Sequence, residues 1–136
     1  MGTIFLFVYG TLKQGLSQHR LLEGQEFLGP ARTLPGYRLY DFGPYPCLVT
    51  DPSGGLSVEG ELYRVEVGLL PRLDEYEGAP DLFVRQEVAV EGVSAPVWAY
   101  LFQGDVAGLP ACEKPWRPRP VSPDSEPGTP KKEAAP

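Results

Sequence analysis

A chain of 136 residues with 42% hydrophobic residues is long enough to bury one real core and short enough to be one domain. Its net charge of -6, with 12 scattered Lys and Arg, leaves no basic face for nucleic acid or anionic lipid. The 2 cysteines, Cys47 and Cys112, lack a CxxC spacing and cannot complete a zinc site with the one histidine, His19, so no metal is expected and both read as ordinary thiols.

In chain order, Ile4 to Tyr9 (IFLFVY) is an apolar run of β formers that reads as a strand buried on both faces, ending in Gly10 and Thr11. It is too short to span a bilayer and has neither a basic flank nor a cleavage site, so the expectation is a cytoplasmic chain with no membrane partner. SQHRLLEG (17 to 24) predicts a short helix with Ser17 as N-cap and Gly24 as stop. Residues 26 to 41 predict two strands broken at Leu34, Pro35 and Gly36. A strand at 47 to 50 follows, then an alternating one at 57 to 65. A helix ends at Glu77, and strands at 83 to 90 and 95 to 102 are joined by Glu91 and Gly92. Strands and helices do not alternate, which argues α+β. With about two short helices to cover them, the strands would best hide their edges by curling into a small mixed β-barrel over residues 1 to 109. Residues 110 to 136 hold half of the chain's 16 prolines and almost no aliphatic residues. They read as a tail, disordered or loosely docked through Trp116, or as a proline-rich ligand for a partner domain. No heptad or long apolar stripe fixes an oligomeric state.

LPRLDEYEG (70 to 78) carries the most unusual placement of a charge. At about 100° per residue, Leu69, Leu70, Leu73 and Tyr76 form one stripe and Glu77 falls between Leu73 and Leu70. Arg72 and Glu75 face the other way, with Asp74 at the edge of the stripe; Asp74 and Glu75 are expected to be solvated. Glu77 also stands at the helix C-terminus, where the dipole disfavours negative charge, before Gly78 and Pro80. Desolvation and the dipole both raise a carboxyl pKa, as a general acid or base near neutrality requires. The bland alternative is a buried ion pair with Arg85 or Arg38. The turn after the first strand, Tyr9, Gly10, Thr11 and Leu12, reads by itself as a plain strand terminus or as a turn that offers consecutive N–H groups to an anion, with Gly10 free to adopt positive φ.

VYGTLKQGLSQHRLLEG, PYPCLV, VEGELYRV, LDEYEG and LFVRQEV, in that order, resemble the gamma-glutamyl cyclotransferase-like family over residues 4 to 103, and YGTLKxGxxxHxLL is most similar to its gamma-glutamylamine branch. The resemblance implies a small barrel whose first loop, here Tyr9, Gly10, Thr11 and Leu12, grips the glutamyl part of a small-molecule substrate. It implies a catalytic glutamate at Glu77 and pocket residues at Arg85 and Tyr100. A tyrosine usual in the family's YxR pattern is Phe83 here. The implied reaction needs no cofactor: the substrate's α-amino group attacks its own γ-carbonyl, releasing 5-oxoproline and an amine. The competing readings are a binding module that holds gamma-glutamyl compounds without turnover, and an interaction protein working through its tail. Lys13 reads as a solvated turn lysine, His19 as a surface or capping residue, and Thr11 as a hydroxyl available to substrate.

Overall fold

The computed structural model describes residues 2–112 and 114–118. The expectations for the tail beyond Pro118, disorder or a proline-rich ligand, lie outside the described residues. The elements are β1 (Thr3–Val8), β2 (Glu26–Arg32), β3 (Tyr37–Asp41), β4 (Pro46–Thr50), β5 (Glu59–Glu66), α1 (Leu70–Glu77), β6 (Phe83–Val88) and β7 (Val97–Phe102), with 3-10 turns at His19–Leu22 and at Val67–Leu69, the second leading into α1. The turn at His19–Leu22 stands between β1 and β2. That turn is what remains of the helix expected over 17 to 24. Gln18, not Ser17, precedes it, and no side chain caps it.

β1 lies at the centre of a five-stranded sheet ordered β2-β5-β1-β7-β6. It runs antiparallel to β5, from Thr3 opposite Glu66 to Val8 opposite Glu61, and parallel to β7, with Phe5 opposite Val97 and Leu6 opposite Trp98. A strand with partners on both edges and side chains on both faces must be apolar throughout, which is why IFLFV is not alternating. Leu6 and Val8 enter one core cluster with Leu70, Leu73, Phe83 and Tyr100. Phe7 and Tyr9 enter a second with Leu39, Leu48, Val97 and Leu101.

The α+β class is as the sequence implies, and the sheet is mixed. The ladders do not close into a full barrel: β3 and β4 form a separate antiparallel pair, and the edge strands of the large sheet meet at only one bridge among the described residues. That bridge joins Thr33 to Val90, flanked by Leu34 N–H to the Ala89 carbonyl at 3.0 Å and Glu91 N–H to the Arg32 carbonyl at 2.9 Å. Among the named strands β3 bonds only β4, which leaves that pair outside the ladder that would complete a closed cylinder.

β1 and β5 approach so closely at Gly60 that a Cβ there would stand 2.3 Å from the Val8 carbonyl oxygen and 2.8 Å from Cζ of Phe7. Gly60→Ala is therefore expected to cost about 1–3 kcal/mol or more in urea unfolding, since the nearest obstacle is backbone and cannot rotate away. An unchanged unfolding midpoint would contradict this packing.

Candidate active site

α1 carries a proline in its first turn and ends at Gly78 in the left-handed region, φ 72°, ψ 30°. Gly78 N–H bonds the Glu75 carbonyl at 3.1 Å and Ala79 N–H reaches back to the Asp74 carbonyl at 3.0 Å, the bonding of a Schellman end. This stop makes Glu77 the last helical residue, on the same buried face as Leu70 and Leu73. Glu77 is 0% exposed, and neither carboxyl oxygen has a hydrogen-bond partner among the described residues. The ion pair that would have explained it structurally is absent there: Arg85 binds Asp74, and Arg38 binds Asp51 through Nε to Oδ2 at 2.7 Å. Burial pushes the Glu77 carboxyl well above the usual range, and the charge of Asp74 pushes it the same way.

Three groups of residues are coupled to this carboxyl or to the helix turn that bears it. Tyr9 is fully buried and donates its hydroxyl to the Tyr100 carbonyl at 2.5 Å, tying the end of β1 to its parallel neighbour β7. Its phenol pKa is driven far up by burial and next by the charge of Glu77. Tyr100 donates its hydroxyl to Oδ1 of Asp74 at 2.6 Å, and Arg85 clamps the same carboxylate with Nε to Oδ1 at 3.0 Å and Nη2 to Oδ2 at 2.8 Å. Burial and the Asp74 contact raise the Tyr100 phenol, with Glu77 contributing. The Arg85 bonds hold Asp74 below the ordinary carboxylate range despite its partial burial. In the loop after β1, Thr11 is buried with its hydroxyl 3.0 Å from that of Tyr76, the residue before Glu77, and Leu12 packs into the core cluster of Leu70 and Leu73.

That loop is folded on itself. The carbonyls of Gly10, Thr11, Leu12 and Lys13 accept bonds from Lys13 N–H at 3.0 Å, Gln18 N–H at 3.0 Å, His19 Nδ1 at 3.0 Å and Leu16 N–H at 3.1 Å. His19 is thus a fastener of the loop rather than a surface residue. Gly10 is buried and does not take a positive φ; the left-handed corner of the loop is Gly15, φ 81°. Lys13, expected in solvent, is only 6% exposed. Asp74, also expected in solvent, is half-buried and is the hub that Tyr100 and Arg85 share. Phe83 is 0% exposed and packs edge-on to Tyr45 and Phe102, filling core where the family pattern has a hydroxyl.

Residues 6–118 match the family described as gamma-glutamyl cyclotransferase, AIG2-like. The chain belongs to that family. A relative from Vibrio cholerae is 41% identical over 98 residues, 72% of this chain and 81% of its own. The gamma-glutamylaminecyclotransferase of Bos taurus is 42% identical over 106 residues, which is 71% of this chain and 63% of the bovine one. The crystal structure of an AIG2-like protein from Mus musculus superposes with a TM-score of 0.73 at 27% identity, covering 84% of this chain and 88% of that one. Among the described residues no helix is long and apolar enough to cross a membrane. The family members' shared AIG2-like fold accounts for the strand order found here.

Sequence reasoning put Asp74 at the edge of the stripe, in solvent or flanking a pocket; the structure places it in this cluster, three residues before Glu77, a spacing that brings helical side chains together.

Because its carboxyl pKa is raised in the folded chain above the unfolded value of about 4.3, Glu77 contributes stability below that value, and the contribution is lost as pH rises toward the folded pKa. Glu77→Gln removes this dependence. In urea unfolding from pH 4 to 8, the stability of the variant relative to wild type is expected to grow with pH, by at most about 1.4 kcal/mol per unit within that window. A difference that is flat, or that falls with pH, would mean the carboxyl is not held neutral.

Proposed function

We propose that the chain is an intramolecular cyclotransferase that releases 5-oxoproline and a free amine from a gamma-glutamylamine or related gamma-glutamyl conjugate, with Glu77 as base and then acid. The observation that carries the proposal is a fully buried carboxyl whose two oxygens have no hydrogen-bond partner among the described residues. In a family of cyclotransferases, such a group is suited to meet the α-ammonium of a gamma-glutamyl substrate.

The α-ammonium must lose a proton before its nitrogen can attack. In an apolar site the neutral carboxyl is favoured while alone, and the arriving cation favours the carboxylate, so the substrate itself brings Glu77 into its basic form. Glu77 takes one ammonium proton, the nitrogen forms a bond to the γ-carbonyl carbon, and a five-membered ring closes through a tetrahedral oxyanion. The bond from that carbon to the amine nitrogen then breaks as Glu77 gives its proton to the leaving nitrogen and takes the second proton that the ring nitrogen sheds in becoming the lactam N–H; Glu77 then passes that second proton to the released amine, which departs as an ammonium. One carboxyl carries both protons, so no net proton is consumed. Proton transfer of this kind contributes about 10² to 10⁴ in rate, and folding the substrate so that amine meets carbonyl adds a proximity term.

The loop of Tyr9, Gly10, Thr11 and Leu12 is assigned to the glutamyl moiety. With its carbonyls engaged within the loop, its backbone N–H groups are suited to the anionic oxygens of the substrate. Arg85 and Tyr100 act through Asp74, keeping that carboxylate ionised while it raises Glu77. A carrier of gamma-glutamyl compounds would gain nothing from an acid buried at this cost, which supports turnover over storage.

The test is 5-oxoproline release from a panel of gamma-glutamyl amines, gamma-glutamyl dipeptides and glutathione. Wild type is expected to release it from at least one class, and Glu77→Gln to lose at least about 10² in kcat while melting, at neutral pH, no more than a few degrees below wild type. Turnover by the Gln variant, or no release from any compound, would end the proposal.

A further inference from the structure

The cyclotransferase reading uses the loop through Leu12 and stops at Lys13, whose burial it does not explain. Lys13 is 6% exposed, and its Nζ donates to the backbone carbonyl of Trp116 at 2.9 Å. Burial lowers the pKa of this amine, with Arg117 acting the same way and Glu61 and Glu59 opposing. Lysine loses strong hydration when buried, and a core position filled only for packing would favour an apolar side chain.

The acceptor is itself anchored. Asp41 N–H bonds the Pro110 carbonyl at 2.9 Å, Cys112 N–H bonds the Leu39 carbonyl at 2.8 Å, and Ala111 bridges Tyr40, so residues 110 to 112 run along β3. Trp116 is 3% exposed and donates its indole N–H to Oδ1 of Asp41 at 3.2 Å. Other fastenings of the loop go to itself, to His19, to α1 through the Thr11 hydroxyl on Tyr76, to β7 through the Tyr9 hydroxyl on the Tyr100 carbonyl and, through Gln14 N–H, to Oε1 of Glu61 on β5 at 2.9 Å. The Lys13 bond is different in kind, because it connects the loop to a segment about a hundred residues away that is held by β3.

We propose that Lys13 is a positioning residue: its bond to the Trp116 carbonyl latches the Tyr9–Leu12 loop against residues 110–118 and so shapes the cradle for the glutamyl moiety. The inference rests on the cyclotransferase reading for its kinetic consequence, and on geometry alone for the latch. It makes the segment that carries Trp116 part of the working enzyme. Lys13 need not touch substrate, since it acts through the backbone of the residues immediately before it.

The test uses the full chain, Lys13→Met, Lys13→Arg, and truncations lacking 113–136 or 119–136. A lost hydrogen bond from a charged donor corresponds to about tenfold or more in substrate affinity. Lys13→Met and the 113–136 deletion are each expected to raise KM about tenfold with little change in kcat, their combination to do no more than either alone, and Lys13→Arg to recover part of the loss. The 119–136 deletion is expected to keep wild-type KM. Amide hydrogen exchange across residues 10–15 is expected to quicken in Lys13→Met and not in the 119–136 deletion. An unchanged KM in Lys13→Met, multiplicative effects in the combination, or unchanged loop exchange in Lys13→Met each overturns the latch. If wild type releases no 5-oxoproline, the cyclotransferase reading falls, and the exchange experiment still decides the latch by itself.

Discussion

Burying a carboxyl without a hydrogen-bond partner is among the costlier things a fold can do, and a soluble chain normally avoids it by pairing the group, exposing it or replacing it. Here all three escapes are blocked by neighbouring structure. The helix end at Gly78 fixes Glu77 on the leucine face, the Arg85 guanidinium is held by Asp74, and Tyr9 and Tyr100 point their hydroxyl hydrogens at other acceptors. What remains is a group whose easiest state is neutral, next to an ionised carboxylate kept ionised by its own salt bridge. Two carboxyls three residues apart are thereby driven in opposite directions, the separation of proton affinities that acid–base chemistry near neutrality exploits.

The central strand turns this local arrangement into a site. β1 is the one strand bonded to both β5 and β7, and where it ends the chain turns over the C-terminal end of α1. The parallel register of β1 with β7 brings Tyr9 to the Tyr100 carbonyl, so the loop's origin and the Asp74 cluster share one short piece of sheet. Displacement of either strand would move both sides of the cradle together.

How much of this was legible in the sequence depended on the range of the interaction concerned. Glu77 stood out because helical phase is local: eight residues suffice to place it with Leu70 and Leu73. The strands were legible for the same reason, through the doubly buried run of β1 and the alternation of β5. Asp74 and Lys13 were misread as solvated because their partners are remote. The first is held by Arg85 and Tyr100, 11 and 26 residues on in other strands, and the second by a carbonyl 103 residues on, and the helical phase of α1 encodes none of these. Gly10 was misjudged differently. A glycine at a strand end suggests a left-handed corner, yet this loop turns at Gly15, and at Gly10 the small residue is simply buried. The barrel was inferred from the need to hide edges, which the chain meets with one bridge and a separate hairpin instead of a closed ladder.

The pairing of Phe5 with Val97 has a kinetic side. Bringing together segments so far apart along the chain carries a large loop-closure entropy before any contact compensates, so such topologies cross their folding barrier slowly. Residues 9 to 12, 74 to 77, 85 and 100 become neighbours only after that crossing. A chain in which β1 and β7 have not yet paired therefore lacks the Tyr9–Tyr100 contact, and the residues proposed for the cradle come together only with that long-range ladder.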